Sequence, residues 1–289
     1  MARSDGRFLV GLIGAGIGTS MSPALHERAA DREGLRYFYE LIDLKPLGAA
    51  PGDVGRLLAA ARQLGFRGLN ITHPCKQEVV NCLDELAPGA AELGAVNTVL
   101  FDGDRSVGHN TDRYGFAAGL SRALPDVRTE SVVLLGAGGA GVAVASALAA
   151  AGTRRLWVAD PEGDRGRRLA RAMSVHTSMA VEVVAPPRMP EVLRQADGVV
   201  NATPIGMEGH PGTPVDPAHL HDRLWVADVI YRPLDTALIR AARARGCAVA
   251  DGGGMAVSQA AASFRLFTGR APDEERMLQD FTELARSGS

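Results

Sequence analysis

Between Ser131 and Asp160 the chain reads SVVLLGAGGAGVAVASALAAAGTRRLWVAD, a pattern that leaves few folds open. Val132, Val133, Leu134 and Leu135 form an apolar run bounded by glycine, the mark of a strand buried on both faces in a parallel sheet. Gly136, Gly138 and Gly141 follow at once in the spacing G-x-G-x-x-G. The first glycine permits the tight turn, the second lets backbone approach a pyrophosphate, and the third lets the helix pack closely on the strand. Gly139 and Ala140, between them, open that helix, where unpaired N–H groups gather. Gly152 closes the helix, and a second strand over 156–159 delivers Asp160. This acid lies about 20 residues past the last glycine, the place of a ribose 2′-hydroxyl ligand. Strand, turn, helix and spaced acid together predict a dinucleotide-binding βαβ unit; a glycine-rich turn in another doubly wound domain is the plainer alternative.

A chain of 289 residues is long enough for two domains with ample cores. The formal net charge is −2 with both signs scattered, which predicts no nucleic-acid face and no membrane surface. A small molecule is the expected partner. No secretory leader or membrane span is legible, so the expected compartment is the cytoplasm. Cys75, Cys82 and Cys247 form no C-x-x-C and read as reduced thiols. His26, His73 and His109 are scattered, and no metal site is expected.

A first strand over 8–13 runs into Gly14, Gly16 and Gly18, a second glycine-rich turn. Thr19 stands where a third glycine belongs, and the strand over 37–42 holds no acid at the right distance, so this turn reads as a decoy. The loop continues Ser20-Met21-Ser22-Pro23. Pro23 suits a first helical turn with Ser22 as N-cap, and a helix start beside two hydroxyls suits a carboxylate; capping alone is the other reading. After a strand at 68–72, Lys76 stands just inside a helix where the dipole disfavours a cation; it is either functional or a surface lysine. Asn97 interrupts the apolar strand 95–101 and must tie a loop or read a ligand. Asp112 precedes a helix over 114–124 and by default starts it. Beyond the nucleotide unit, β/α alternation continues to a strand at 247–250. Gly252, Gly253, Gly254 and Met255 then open a long helix containing Gln259, and a charged helix over 273–286 ends the chain. The fold class is α/β, with a helix rather than a tether joining two domains.

Ser20-Met21-Ser22-Pro23, Asn70-Ile71-Thr72-His73-Pro74-Cys75-Lys76, Gly94-Ala95-Val96-Asn97-Thr98, Gly108-His109-Asn110-Thr111-Asp112, Asn201-Ala202-Thr203-Pro204-Ile205-Gly206-Met207 and Asp228-Val229-Ile230-Tyr231-Arg232-Pro233 together resemble the shikimate/quinate dehydrogenase family. The resemblance runs in order over nearly the whole chain. It implies a substrate domain, 1–112 completed by 252–289, with an inserted NAD-binding Rossmann domain, 113–251, and an active site in the cleft between them. Ser20 and Ser22 would bind the ring carboxylate, Thr72, Asn97 and Gln259 the ring hydroxyls, and Tyr231 would close over the ring. Lys76 and Asp112 would be the catalytic pair. Asn201, Ala202, Thr203 and Pro204 would line the nicotinamide ribose pocket, with Val229, Gly252 and Met255 completing the cofactor contacts.

Two departures matter. Members that use NADP commonly carry Asn-Arg-Thr after the second Rossmann strand, where this chain has Ala159-Asp160-Pro161, so the expected cofactor is NAD, with NADP disfavoured. Ser258 stands where some members have Tyr or His. The implied reaction is reversible hydride transfer at the ring C3 alcohol of shikimate or quinate, in a monomer or homodimer; an amino analogue is the alternative within the family. Lysine is protonated at neutral pH, which suits proton donation to a developing alkoxide. A two-domain folate dehydrogenase is the rival enzyme, opposed by Ser20 and Ser22. An NAD-binding regulator without turnover is the other, opposed by retention of Lys76 and Asp112.

Overall fold

The computed structural model describes residues 6–287, in two compact units: one runs to Thr111 and resumes at Gln259, the other is Asp112–Ser258. The C-terminal joint therefore falls inside a helix, after Ser258, rather than at its first glycine.

The first unit contains β1 (Arg7–Gly14), α1 (Ser22–Arg32), β2 (Arg36–Asp43), α2 (Val54–Gln63), β3 (Gly68–Ile71), α3 (Cys75–Glu78), β4 (Glu85–Leu86), α4 (Pro88–Leu93), β5 (Thr98–Asp102) and β6 (Arg105–His109). Its sheet is mixed, in the order β2-β1-β3-β5-β6-β4. β1 pairs in parallel with β2 and β3, whereas β5 runs antiparallel to both β3 and β6. The carboxyl ends of β1, β3 and β6 thus share one edge of the sheet with the amino end of β5. Ile13, Leu58, Leu69, Ile71 and Val99 are central to a core between this sheet and the helices that cover it. β6 carries a single aliphatic side chain in RSVGH and gives no period-2 signal, so the hairpin it makes with β5 is invisible to pattern alone.

The second unit contains α5 (Asp112–Ala123), β7 (Ser131–Leu135), α6 (Gly139–Ala150), β8 (Arg155–Ala159), α7 (Gly163–His176), β9 (Ala180–Val183), α8 (Met189–Gln195), β10 (Gly198–Asn201), β11 (Trp225–Asp228), α9 (Ala237–Ala244) and β12 (Ala248–Ala250). All six strands are parallel, in the order β12-β11-β10-β7-β8-β9. The chain winds outward from β7 in one direction, then restarts beside it with β10, which makes the β7/β10 crevice the topological switch point. α6 is apolar all round and is buried from Gly141 to Leu148, as a helix pressed onto a parallel sheet must be.

α10 (Gly252–Thr268) carries the chain out of this unit, and α11 (Glu274–Ser287) returns to the first. There Arg32 of α1 forks onto Asp280 with two 2.6 Å hydrogen bonds. Phe264 and Phe267 of α10 bed against His26 and Tyr37. His26 is a core histidine: its Nδ1 is 3.1 Å from the Tyr37 hydroxyl, and burial lowers its pKa to about 3.

Candidate active site

In the second unit every residue singled out for the cofactor lies at or just beyond the carboxyl edge of the parallel sheet. Gly136 has φ +98°, and a Cβ there would stand 2.7 Å from the Ala202 carbonyl oxygen. At Gly141 a Cβ would stand 2.1 Å from the Gly136 carbonyl, so α6 can approach the turn only without a side chain. Gly138 differs, because a Cβ there meets nothing within 4 Å. Its backbone is extended and precedes α6, and the N–H groups of Gly138, Gly139 and Ala140 meet no acceptor among the described residues. Bare donors at a helix start beside open space fit a pyrophosphate. Asp160, at the tip of β8, accepts from Ala137 N–H at 2.7 Å and Glu162 N–H at 2.8 Å, one on each oxygen. Each oxygen keeps lone-pair capacity for a ribose hydroxyl.

On the other side of the switch point, Asn201 ends β10 fully buried. Its Oδ1 accepts from Thr203 N–H and Thr203 Oγ1, at 3.0 and 2.7 Å, and its carbonyl accepts from Val229 N–H at 3.0 Å. Ala202 N–H donates to the Leu135 carbonyl at 2.7 Å, which seats the turn through Pro204 against the glycine turn. Tyr231 follows β11, half-buried. A Cβ on Gly252 would lie 2.4 Å from the Ile230 carbonyl, so packing within the chain already demands glycine there. Met255 packs its backbone against Gly119 of α5.

In the first unit the predicted substrate residues gather on the edge identified above. Ser20 and Ser22 follow β1, Thr72 and Lys76 follow β3, Asn97 precedes β5, and Thr111 follows β6 and leads into Asp112. Ser22 is not the N-cap of α1: that position is Met21, and no side chain caps the helix. Ser20 Oγ instead accepts from Ser22 N–H at 3.2 Å. The hydroxyls of Ser22 and Thr72 meet no hydrogen-bond partner among the described residues, so capping does not account for Ser22. Lys76 lies in a helix of only four residues, too short for the dipole argument made from sequence. Its carbonyl accepts from Val96 N–H at 2.8 Å, which ties α3 to the segment before β5.

Asn97 stands one residue before β5 rather than within it, and it ties a loop. Its Oδ1 accepts from Thr111 N–H at 2.8 Å, and its Nδ2 is 2.8 Å from Thr111 Oγ1. The turn that leads into Asp112 is thereby fixed. Asp112 itself is buried in the first turn of α5. Asn70 Nδ2 backs this arrangement with hydrogen bonds to the Asn97 carbonyl and Thr98 Oγ1, at 3.3 and 3.0 Å. Gln259 lies half-buried in α10.

Asp43 lies one residue beyond the strand read over 37–42, and it answers the first glycine turn from inside the protein. At the tip of β2, its carboxylate accepts from Gly16 N–H at 2.8 Å, Ile17 N–H at 2.9 Å and Lys45 N–H at 3.0 Å. Burial pushes its pKa up, but these three donors outweigh it and hold the carboxyl below its ordinary value. The turn is a decoy because the protein's own carboxylate occupies it. Among the described residues, no three His, Cys, Asp or Glu side chains gather as metal ligands.

Comparison with known proteins agrees with this geometry. The shikimate dehydrogenase substrate-binding domain model matches residues 12–99, the shikimate/quinate 5-dehydrogenase model 120–206, and the shikimate 5′-dehydrogenase C-terminal model 252–279. A protein of Streptomyces avermitilis named shikimate dehydrogenase (NADP(+)) is 59% identical, over 96% of both chains. The quinate/shikimate dehydrogenase (NAD(+)) of Corynebacterium glutamicum strain R is 46% identical, over 96% of this chain and 98% of its own. The solved structure of quinate dehydrogenase from Corynebacterium glutamicum in complex with NAD superposes with a TM-score of 0.89, at 46% identity, covering 96% of this chain and 99% of that one. On this similarity, and with a dinucleotide turn and a hydroxyl-lined sheet edge in place, the chain belongs to the shikimate/quinate dehydrogenase family of nicotinamide-dependent alcohol oxidoreductases.

Proposed function

We propose that the chain is a shikimate/quinate dehydrogenase that prefers NAD to NADP. The observation that carries the cofactor preference is the acidic tip of β8. Asp160 stands where an adenosine ribose 2′-oxygen is bound, and Glu162 and Asp164 follow it. Two of the arginines that follow are already engaged: Arg165 pairs with Glu162 at 3.1 Å, and Arg167 pairs with Asp164. A 2′-phosphate would face Asp160 with no unpaired arginine beside it in this loop. Two unit charges about 4 Å apart at an effective dielectric near 20 repel by about 4 kcal/mol, which solvent and rearrangement reduce. The preference expected is therefore roughly 10- to 1,000-fold. Relatives named for NADP(+) and for NAD(+) are both similar to this chain, and Asp160 supports NAD.

Bound nicotinamide supplies the hydride acceptor or donor. The open N–H groups of the Gly138 turn hold its pyrophosphate, and the Asn201–Pro204 segment takes its ribose. Ser20 and Ser22 hold the ring carboxylate, and Thr72 and Gln259 hold ring hydroxyls. Asn97 acts chiefly by fixing the turn into Asp112. In the reductive direction Lys76 donates its proton to the alkoxide forming at C3; in the oxidative direction its amine receives that proton. Asp112 accepts a hydrogen bond from a neighbouring ring hydroxyl and orients the Lys76 amine. The small, rotatable serine hydroxyls accommodate both the planar carboxylate of shikimate and the tilted one of quinate.

Initial rates with shikimate and quinate, each with NAD and NADP, test this reading. The expected result is turnover of both acids, with kcat/KM at least about tenfold higher for NAD. Equal efficiency with NADP overturns the cofactor assignment, and no turnover of either acid overturns the substrate assignment.

A further inference from the structure

The last rung of the second sheet runs Ala159, Leu135, Asn201, Asp228 across β8, β7, β10 and β11. Two of these strand ends are apolar and two are polar. The polar pair stands under the two turns that carry Ala202–Pro204 and Tyr231. Asp228 is 3% exposed, and burying a carboxylate is costly unless donors surround it. Three do. Its Oδ1 accepts from Asn201 Nδ2 and Ile230 N–H, both at 3.0 Å, and its Oδ2 accepts from Thr236 Oγ1 at 2.8 Å.

Each donor belongs to a segment that matters beyond the sheet. Asn201 passes the constraint outward through Thr203, whose Oγ1 accepts from Ile205 N–H at 3.1 Å, while Asn201 Nδ2 also reaches the Ile205 carbonyl at 3.1 Å. Ala202 presses on the Gly136 turn, as described. Ile230 N–H fixes the turn immediately before Tyr231. Thr236 caps α9 by accepting from Ile239 N–H at 3.2 Å, so the far end of the Tyr231 turn is anchored to a helix start. One carboxylate is thus a common acceptor for both turns, which are joined besides by the bond from Val229 N–H to the Asn201 carbonyl.

We infer that Asp228 is a positioning residue that locks the Asn201–Ile205 segment and the Tyr231 turn into one arrangement, presenting cofactor and ring contacts together. This rests on the reading of those two turns as binding elements. It makes no contact with the reacting atoms necessary, and Lys76 and Asp112 are not part of its network.

The test uses the full chain and steady-state kinetics with NAD and shikimate. Asp228→Ala leaves three donors without their acceptor and is expected to raise both KM values about tenfold, with kcat changed by less than about threefold. A merely structural lesion has the opposite signature: it lowers the folded fraction, hence kcat per mole of chain, at unchanged KM. Asp228→Asn supplies the rescue. Its oxygen can serve Asn201 and Ile230 while its amide donates to Thr236 Oγ1, so both KM values should return to within about threefold of wild type. If Asp228→Ala does not fold, Thr236→Val, which removes one donor, carries the same test, with both KM values about threefold higher. Unchanged KM values in Asp228→Ala, or in Thr236→Val where that variant stands in, overturn the proposal while leaving the dinucleotide reading intact. A wild-type chain that binds neither NAD nor NADP overturns both.

Discussion

The same tripeptide marks the ends of two central strands. Gly14-Ala15-Gly16 begins on the last residue of β1 and Gly136-Ala137-Gly138 follows β7, each at the end of a central parallel strand with an aspartate at the tip of the neighbouring strand. The outcomes are opposite. Asp43 reaches past the tripeptide to take Gly16 and Ile17 N–H, which seals the first turn. Within the second turn Asp160 takes only Ala137 N–H, one residue earlier, and leaves the next donors bare among the described residues. A helix starts at once after the second turn, at Gly139, but only at Ser22 after the first. Glycine spacing therefore makes a turn; what makes it a dinucleotide site is which N–H the neighbouring acid consumes and how soon a helix begins. In the first unit the binding groups are side-chain hydroxyls beyond the sealed turn, whereas in the second they are backbone N–H groups within the turn.

That contrast divides the work, and substitutions can break it. Chemistry assigned to the first edge should be separable from binding assigned to the second. Lys76→Ala and Asp112→Asn should each lower kcat about 100-fold or more, equivalent to about 2.7 kcal/mol, with NAD affinity nearly unchanged. If the two residues act as a unit, the double variant will be little worse than the poorer single one. Rapid-mixing and steady-state kinetics check this, and a Lys76→Ala enzyme of near-normal kcat would sink the assignment.

Stability sharpens the same contrast, because α1, which follows the sealed turn, rests on buried His26. Burial lowers the pKa of His26 to about 3, against about 6.5 in the unfolded chain, so folding requires the neutral ring. The unfolded state then binds the extra proton below about pH 6.5. The stabilising contribution is complete above that pH and is lost as pH falls toward 3. Between pH 7.5 and 5.0 the loss from this group should be about 2 kcal/mol. Urea unfolding of wild type and His26→Leu at both pH values measures it; an equal acid loss in the two proteins would contradict the assignment.

A smaller effect is expected at the seal itself. Asp43→Ala leaves the Gly16, Ile17 and Lys45 N–H groups without their acceptor and should cost about 1–2 kcal/mol of unfolding free energy. The dissociation constant for NAD should stay within about twofold, since the first turn is not the dinucleotide site. Denaturation and a binding titration on the same preparation decide it.

The second unit was largely legible in the sequence because its signals are local. Glycine spacing, apolar strands and an acid about 20 residues on all fall within one βαβ unit. The first unit was less so. β4 has two residues and β6 one aliphatic side chain, and both exist only through pairing with distant strands. The roles of Asp43 and Asp228 depend on parallel register, Gly14 opposite Asp43 and Asn201 opposite Asp228, which no window of sequence displays. Ser22 lies one position inside the helix rather than at its N-cap because Pro23 suits either of the first two helical positions. At Lys76 a helix dipole is no guide, because the chain makes a single turn there.

If the second turn, not the first, receives the dinucleotide, calorimetric titration of NAD into Gly138→Ala and Gly16→Ala will separate the two. A Cβ at Gly138 meets no protein atom within 4 Å and should spare the fold while entering the space of the pyrophosphate. At Gly16 the backbone has φ +69°, and a Cβ would stand 3.1 Å from the Lys45 amine, so alanine should cost about 1 kcal/mol of stability and nothing in binding. NAD binding should be weakened at least about tenfold by Gly138→Ala and unchanged within about twofold by Gly16→Ala. Undiminished affinity in Gly138→Ala, with loss in Gly16→Ala, would contradict this.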